Sequence, residues 1–168
     1  MKKFAIAALG LGLTGCAAGA PRAPAQEASE ATGPAPAISL ERTACFGTCP
    51  VYTISVSASG KVAFQGRAHV RLLGVATGQI PAPRVDSLLV ELEKAGYFSF
   101  ASRYASSEPA CGRYVTDLPT AITTVSLRGR IKRIEHDHGC GAAPDALAVL
   151  EKRIDEVLGS SEWIGSKK

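Results

Sequence analysis

The sequence predicts an α+β domain: an antiparallel sheet built from hairpins, with two helices packed on one face. Three observations predict it. Apolar residues alternate with polar ones on either side of two short turns, "SASGK" and "SLRGR", which is the period of half-buried strands joined as hairpins. Residues 85–92 and 147–158 instead space their aliphatic side chains three and four apart, as an amphipathic helix does. The order of strands, helix, two strands and helix needs no strand–helix–strand crossover, so nothing calls for a parallel sheet.

Ile38, Leu40 and Arg42 alternate with Ser39 and Glu41 and give the first strand. Tyr52, Ile54 and Val56 continue with the same period, and after the "ASGK" turn Val62 and Phe64 complete a hairpin. Residues 67–80 read as two further strands that break at Gly74. Pro81 and Pro83 end that region. Val85, Leu88, Leu89 and Leu92 then form a helix face that Gly96 closes. Tyr97, Phe98 and Phe100 follow and read as core anchors. "AITTVSLRGRIKRIEHDH" is a second hairpin turning near Gly129. Pro144 and Asp145 open a last helix with Leu147, Leu150, Ile154, Val157 and Leu158 on one face. Gly159 closes it, and Trp163 and Ile164 tuck back against the sheet. Residues 38–165 are thus one domain, and 166–168 a short tail.

The N-terminus reads differently. Met1, Lys2 and Lys3 precede the apolar run "FAIAALGLGL", which is too short for a bilayer span of roughly 20 residues and has the make-up of a secretory signal. Its end, Leu13-Thr14-Gly15-Cys16, resembles a bacterial lipoprotein signal. That resemblance implies a signal peptide over 1–15 and a lipidated Cys16 carrying a diacylglycerol thioether and a fatty-acylated amine such as palmitate. Several acyl chains would anchor it stably in the membrane. Ala17, rather than Asp, points to the outer membrane facing the periplasm. Residues 16–37 are rich in Ala and Pro and cannot bury a core, so they form a tether. Loss of Lys2 and Lys3 leaves 17 basic and 15 acidic residues, so the formal charge falls from +4 to +2. Such a balance, in an exported chain, argues against nucleic acid as a partner.

Beyond Cys16 stand Cys45, Cys49, Cys111 and Cys140, an even number in an exported chain, which points to disulfides with three possible pairings. In an extended strand Cys45 and Cys49 would lie about 13 Å apart, beyond the roughly 7 Å limit for a bridge. The segment must turn to close one. Gly47 can take a positive φ, and Pro50 keeps Cys49 extended. Cys111 precedes the second hairpin and Cys140 follows it, and a hairpin brings its open ends together. Pairing 45–49 with 111–140 is therefore preferred, with a crossed pairing or free thiols as the alternatives. A C-x-x-x-C spacing outside a βαβ unit does not suit a thioredoxin-like redox role.

On a strand, His136, His138 and Cys140 of "HDHGC" would share one face. Two imidazoles and a thiolate could hold zinc or copper, with His69 as a further ligand, unless Cys140 is bridged. There is no G-x-S-x-G, H-E-x-x-H or phosphate-cradling loop, and Asp117 reads as a turn or cap residue before Pro119. The basic cluster Arg128, Arg130, Lys132 and Arg133 reads as a solvated hairpin face, or else as a dock for anionic partners or lipid headgroups.

Taken together, "ISLERTACFGTCPVYTISV", "SGKVAFQG", "TDLPTAITTVSLRGRIKRI" and "LEKRIDEVLGSSEWIG" resemble a bacterial family of secreted proteins and lipoproteins of unknown function, family 6438. The resemblance implies one complete domain and supplies no activity. The expected function is a cell-envelope lipoprotein with a disulfide-stapled, non-enzymatic binding or structural domain. It needs no cofactor, and its partner is an envelope protein or glycan. A metal-binding domain using His136, His138 and Cys140 is the alternative, and an enzyme of unrecognised type comes third.

Overall fold

The computed structural model describes residues 36–165. The expected signal peptide over 1–15, the expected lipidation site Cys16, the expected tether up to residue 35 and residues 166–168 lie outside the described residues. Seven strands form one sheet: β1 (Ile38–Arg42), β2 (Val51–Val56), β3 (Lys61–Ala68), β4 (Gly74–Gln79), β5 (Arg103–Tyr104), β6 (Thr120–Leu127) and β7 (Arg130–Asp137). Their lateral order is β4-β3-β2-β1-β6-β7-β5. Every neighbouring pair is antiparallel except β5 with β7. Three helices accompany the sheet: α1 (Ala82–Lys94), α2 (Asp145–Leu158) and the single turn α3 (Ser161–Ile164). The α+β class is the one the sequence predicts.

The period-2 pattern becomes a buried face. β2 buries Tyr52, Ile54 and Val56, β6 buries Ala121, Thr123 and Val125, and the residues between them are half-buried. The apolar ones share one core cluster with Val85, Leu88, Leu89 and Leu92 of α1 and with Leu147, Leu150, Ile154, Val157 and Leu158 of α2. Each large aliphatic removed from water contributes roughly 1.5–3 kcal/mol, so this face is what holds helix to sheet. Gly159, at φ 73°, ends α2 and gives its N–H to the Asp155 carbonyl.

Three features depart from the pattern read in the sequence. Residues 67–80 do not form two strands breaking at Gly74: Arg67 and Ala68 finish β3, a bend follows, and Gly74 starts β4. The cause lies at Gly66, where an added Cβ would sit 2.0 Å from the Leu72 carbonyl oxygen, so the bend folds directly over the end of β3. Gly66→Ala is expected to cost about 1–3 kcal/mol through this clash, read as a lower denaturant midpoint. The two-residue β5 is too short to show a period, and the 3-10 turns at Tyr97–Ser99 and Pro109–Cys111 likewise follow none.

Tyr97 is fully buried, with its hydroxyl 2.6 Å from Thr123 Oγ1, while Phe98 and Phe100 pack at the core's edge. Trp163 stacks on Phe64 at 5.1 Å, and the Leu72 and Arg71 N–H groups donate to the carbonyls of Trp163 and Ile164. The basic cluster is engaged locally. Arg128 and Arg130 both pair with Glu93, Arg130 also covers the Phe98 ring, and Arg133 pairs with Glu135. No helix among the described residues is long and apolar enough to cross a membrane.

Candidate functional site

Strand register places one row of residues across the sheet. Tyr52 of β2 stands opposite Arg42 of β1, Arg42 opposite Ala121 of β6, Ala121 opposite His136 of β7, and His136 opposite Tyr104 of β5. Cross-strand partners share a face, so this row lies on the core side. Four of its members carry polar groups that cannot stay there unpaired; the Tyr104 hydroxyl accepts from the Ala101 N–H, and Tyr52, Arg42 and His136 need partners from outside the sheet. The partners come from α2, where Glu151 and Asp155 are one turn apart on the buried face, about 6 Å along the axis.

Glu151 serves β7. His136 Nδ1 lies 2.6 Å from its Oε1 and His138 Nε2 lies 2.9 Å from its Oε2. The two imidazoles, two residues apart at the strand end, stack at 4.5 Å with their planes 19° apart. Glu151 is 1 % exposed, whereas the His138 side chain is 28 % exposed and forms the cluster's solvent side. Burial pushes the Glu151 carboxyl pKa up, but the hydrogen bonds and charge of His136 and His138 outweigh it, and the net shift is downward. The carboxylate therefore stays ionised, and both ring nitrogens donate to it.

Asp155 serves β1 and β2. Arg42 Nε and Nη2 both reach its Oδ2 at 2.8 Å, and the Tyr52 hydroxyl donates to Oδ1 at 2.6 Å. Burial works against the Arg42 charge, yet Asp155 overcomes this and holds the guanidinium pKa above its usual value. Burial, reinforced by Asp155, likewise pushes the Tyr52 hydroxyl upward. Arg42 Nη1 is also 3.8 Å from Glu151 Oε2, which joins the two halves. Among the described residues no buried side-chain nitrogen or oxygen lacks a partner.

Both disulfides sit at this end of the sheet. Cys45–Cys49 bridges the loop between β1 and β2 with Cα atoms 5.7 Å apart, and Cys111–Cys140 joins the segment before β6 to the end of β7 at 4.5 Å. The two stapled segments meet where Phe46 N–H donates to the Asp117 carbonyl, and Asp117 itself turns with φ 73°. Strand-like pairing of residues 113–115 with 139–141 then fixes the backbone next to His138. Beside the cluster lies a cavity of about 410 Å³, lined by Arg42, Cys49, Pro50, Tyr52, Lys152 and Asp155 among others.

The structure thus brings His136 and His138 together but removes Cys140 from the ligand set, because its sulfur is bonded to Cys111. His69 stands exposed in the β3–β4 bend and is not in the cluster. The third donor is Glu151, and the atoms of His136, His138 and Glu151 that could ligate all lie within 4.8 Å of one another. A signal for it exists in the sequence: Glu151 falls among Leu147, Leu150, Ile154 and Leu158, and with Asp155 one turn on it puts carboxylates on an otherwise apolar helix face.

Fold and site together define a doubly disulfide-bonded α+β domain with a buried His–Glu–His cluster at its stapled end. Residues 36–158 match the family described as Domain of unknown function (DUF6438), and the chain belongs to that family. Comparison with curated proteins gave no match.

Proposed function

We propose that the protein is a lipid-anchored cell-envelope domain whose stapled end binds an envelope protein or glycan without transforming it. The observation that carries this reading is the cavity to which the two stapled loops give Cys49, Pro50 and Pro119 and α2 gives Lys152 and Asp155, with Phe46 and Leu118 exposed on those same loops, Phe46 to 89 %. Exposed apolar side chains next to a concavity, on loops that disulfides hold in place, favour binding with little ordering cost. Both lining cysteine chemistry and Arg42 are already spent: Cys49 is in its disulfide and Arg42 is held by Asp155. Lys152 makes no ion pair among the described residues and supplies the cavity's uncommitted charge.

The anchor belongs to the same reading. Leu13-Thr14-Gly15-Cys16 supports lipidation of Cys16 after removal of 1–15, and the tether 16–37 gives the domain reach from an outer membrane facing the periplasm. Cys16→Ala is expected to move the protein from the membrane to the soluble envelope fraction. Persistence in the membrane fraction would rule out the anchor. A photo-crosslinker in place of Phe46 should give discrete adducts in intact cells that Lys152→Glu diminishes. Adducts indifferent to Lys152→Glu, or none, would remove the cavity as the binding site.

A further inference from the structure

We propose that His136, His138 and Glu151 form a binding site for a divalent d-block cation, zinc above all, that opens to solvent on the His138 side. Two imidazole nitrogens and one carboxylate oxygen converge from a strand end and a helix, all within 4.8 Å. The two hydrogens now shared between the rings and Glu151, across 2.6 and 2.9 Å, occupy the space between the donors. A cation replaces them: the Nδ1 hydrogen of His136 and the Nε2 hydrogen of His138 either shift to the other ring nitrogen or leave to solvent. Zn²⁺ at about 2.0–2.2 Å from each donor spaces tetrahedral donors about 3.4 Å apart, so the N···O spacings of 2.6 and 2.9 Å must open by a fraction of an ångström to about one, while any wider donor spacing, up to 4.8 Å, must close.

Donor chemistry selects the cation class. Imidazole favours zinc and its neighbours over magnesium or calcium, which prefer all-oxygen sets. With Cys140 oxidised, no thiolate contributes. Three protein donors leave a fourth tetrahedral position, the arrangement of open rather than closed zinc sites. His138, the most exposed of the three, sets the direction of entry.

Charge permits it. Glu151 and Asp155 carry two negative charges against the one of Arg42, so with neutral rings the pocket has a net −1 before any cation enters. Asp155 holds Arg42 through two nitrogens at 2.8 Å, while the third, Nη1, stands 3.8 Å from Glu151 Oε2, beyond hydrogen-bond reach of that donor. On the same strand and helix, Ile134, Leu147, Leu150 and Ile154 are buried. The site does not depend on what the stapled end binds, and either proposal can fail alone.

The test is titration of untagged full-length protein, purified oxidised from an exporting host, with Co²⁺ followed by Zn²⁺ competition. One equivalent of Co²⁺ should give visible d–d bands without a thiolate charge-transfer band, and Zn²⁺ should bleach them. His138→Asn, at the half-exposed edge where folding is least at risk, should weaken binding by more than the roughly 10–100-fold that an outer-shell partner costs. Glu151→Gln should do the same, and His69→Asn should leave the affinity unchanged. Wild-type protein without a stoichiometric site would overturn the proposal. So would binding that survives both His138→Asn and Glu151→Gln, or that falls equally with His69→Asn.

Discussion

Glu151→Ala is expected to destabilise the domain by about 3–5 kcal/mol, the usual cost of removing one partner from a buried charged network. Removing the carboxylate takes the acceptor from two ring nitrogens, one of them on the 5 % exposed His136, and takes one counter-charge from Arg42. It also leaves a gap beneath the sheet row that water must fill or the core must close. Glu156→Ala, five residues on and exposed, should stay within about 0.5 kcal/mol and serves as the control. Urea unfolding of both variants decides it, and a loss below about 1 kcal/mol for Glu151→Ala would show that the network adds nothing net.

The same residue predicts a pH dependence. Burial works against ionisation, but the hydrogen bonds and charge of His136 and His138, which face it from β7, hold its folded-state pKa below the ordinary 4.5, and Arg42 approaches it from β1. An unfolded chain then binds the proton more readily than the folded one. The stabilisation is present above about pH 4.5 and is lost as pH falls through the depressed folded value. Wild type should therefore lose stability more steeply than Glu151→Gln below that point. Parallel profiles would contradict the assignment.

Period and spacing made the sheet and both long helices legible, because β2, β3, β6 and the two helix faces bury nearly every residue that their patterns mark. Elements without a period were not legible. β5 pairs with β7 through two residues, and the β3–β4 bend is dictated by a backbone approach at Gly66 that leaves no trace in hydropathy. The site was half-legible for a related reason. His136 and His138 are neighbours in sequence, so strand alternation alone puts them together. Glu151, Arg42 and Asp155 are brought in by strand register and helix placement, with Arg42 and Asp155 separated by 113 positions. Only their misfit was visible beforehand: two carboxylates and an arginine at positions where the pattern asks for apolar side chains. A buried charge in an otherwise apolar face marks a partner elsewhere, and here it marked the centre of the molecule's polar core.

Cysteine pairing was the step where sequence left choices and geometry decides. Cys111→Ala with Cys140→Ala is expected to cost about 3.5 kcal/mol, because the bridge closes a loop of about thirty residues in the unfolded chain. The Cys45–Cys49 bridge closes only about five, and its removal should cost about 2 kcal/mol on the same account. Among the described residues one backbone hydrogen bond, Phe46 N–H to the Asp117 carbonyl, joins the two disulfide-closed loops, so full reduction of the wild type should cost close to their sum. A domain at the low end of ordinary stability, about 5 kcal/mol, would then be left at its unfolding threshold. Chemical denaturation of wild type, each double-alanine variant and reduced wild type gives all four values. A smaller loss for 111–140 than for 45–49 would show that the long loop is already ordered in the unfolded ensemble, which the β6–β7 hairpin inside it could do. That result would move the stabilisation from chain entropy to the folded state, where Cys140 holds the strand end carrying His138, and the reduced protein should then lose order at the His136–His138–Glu151 cluster before the rest of the sheet melts.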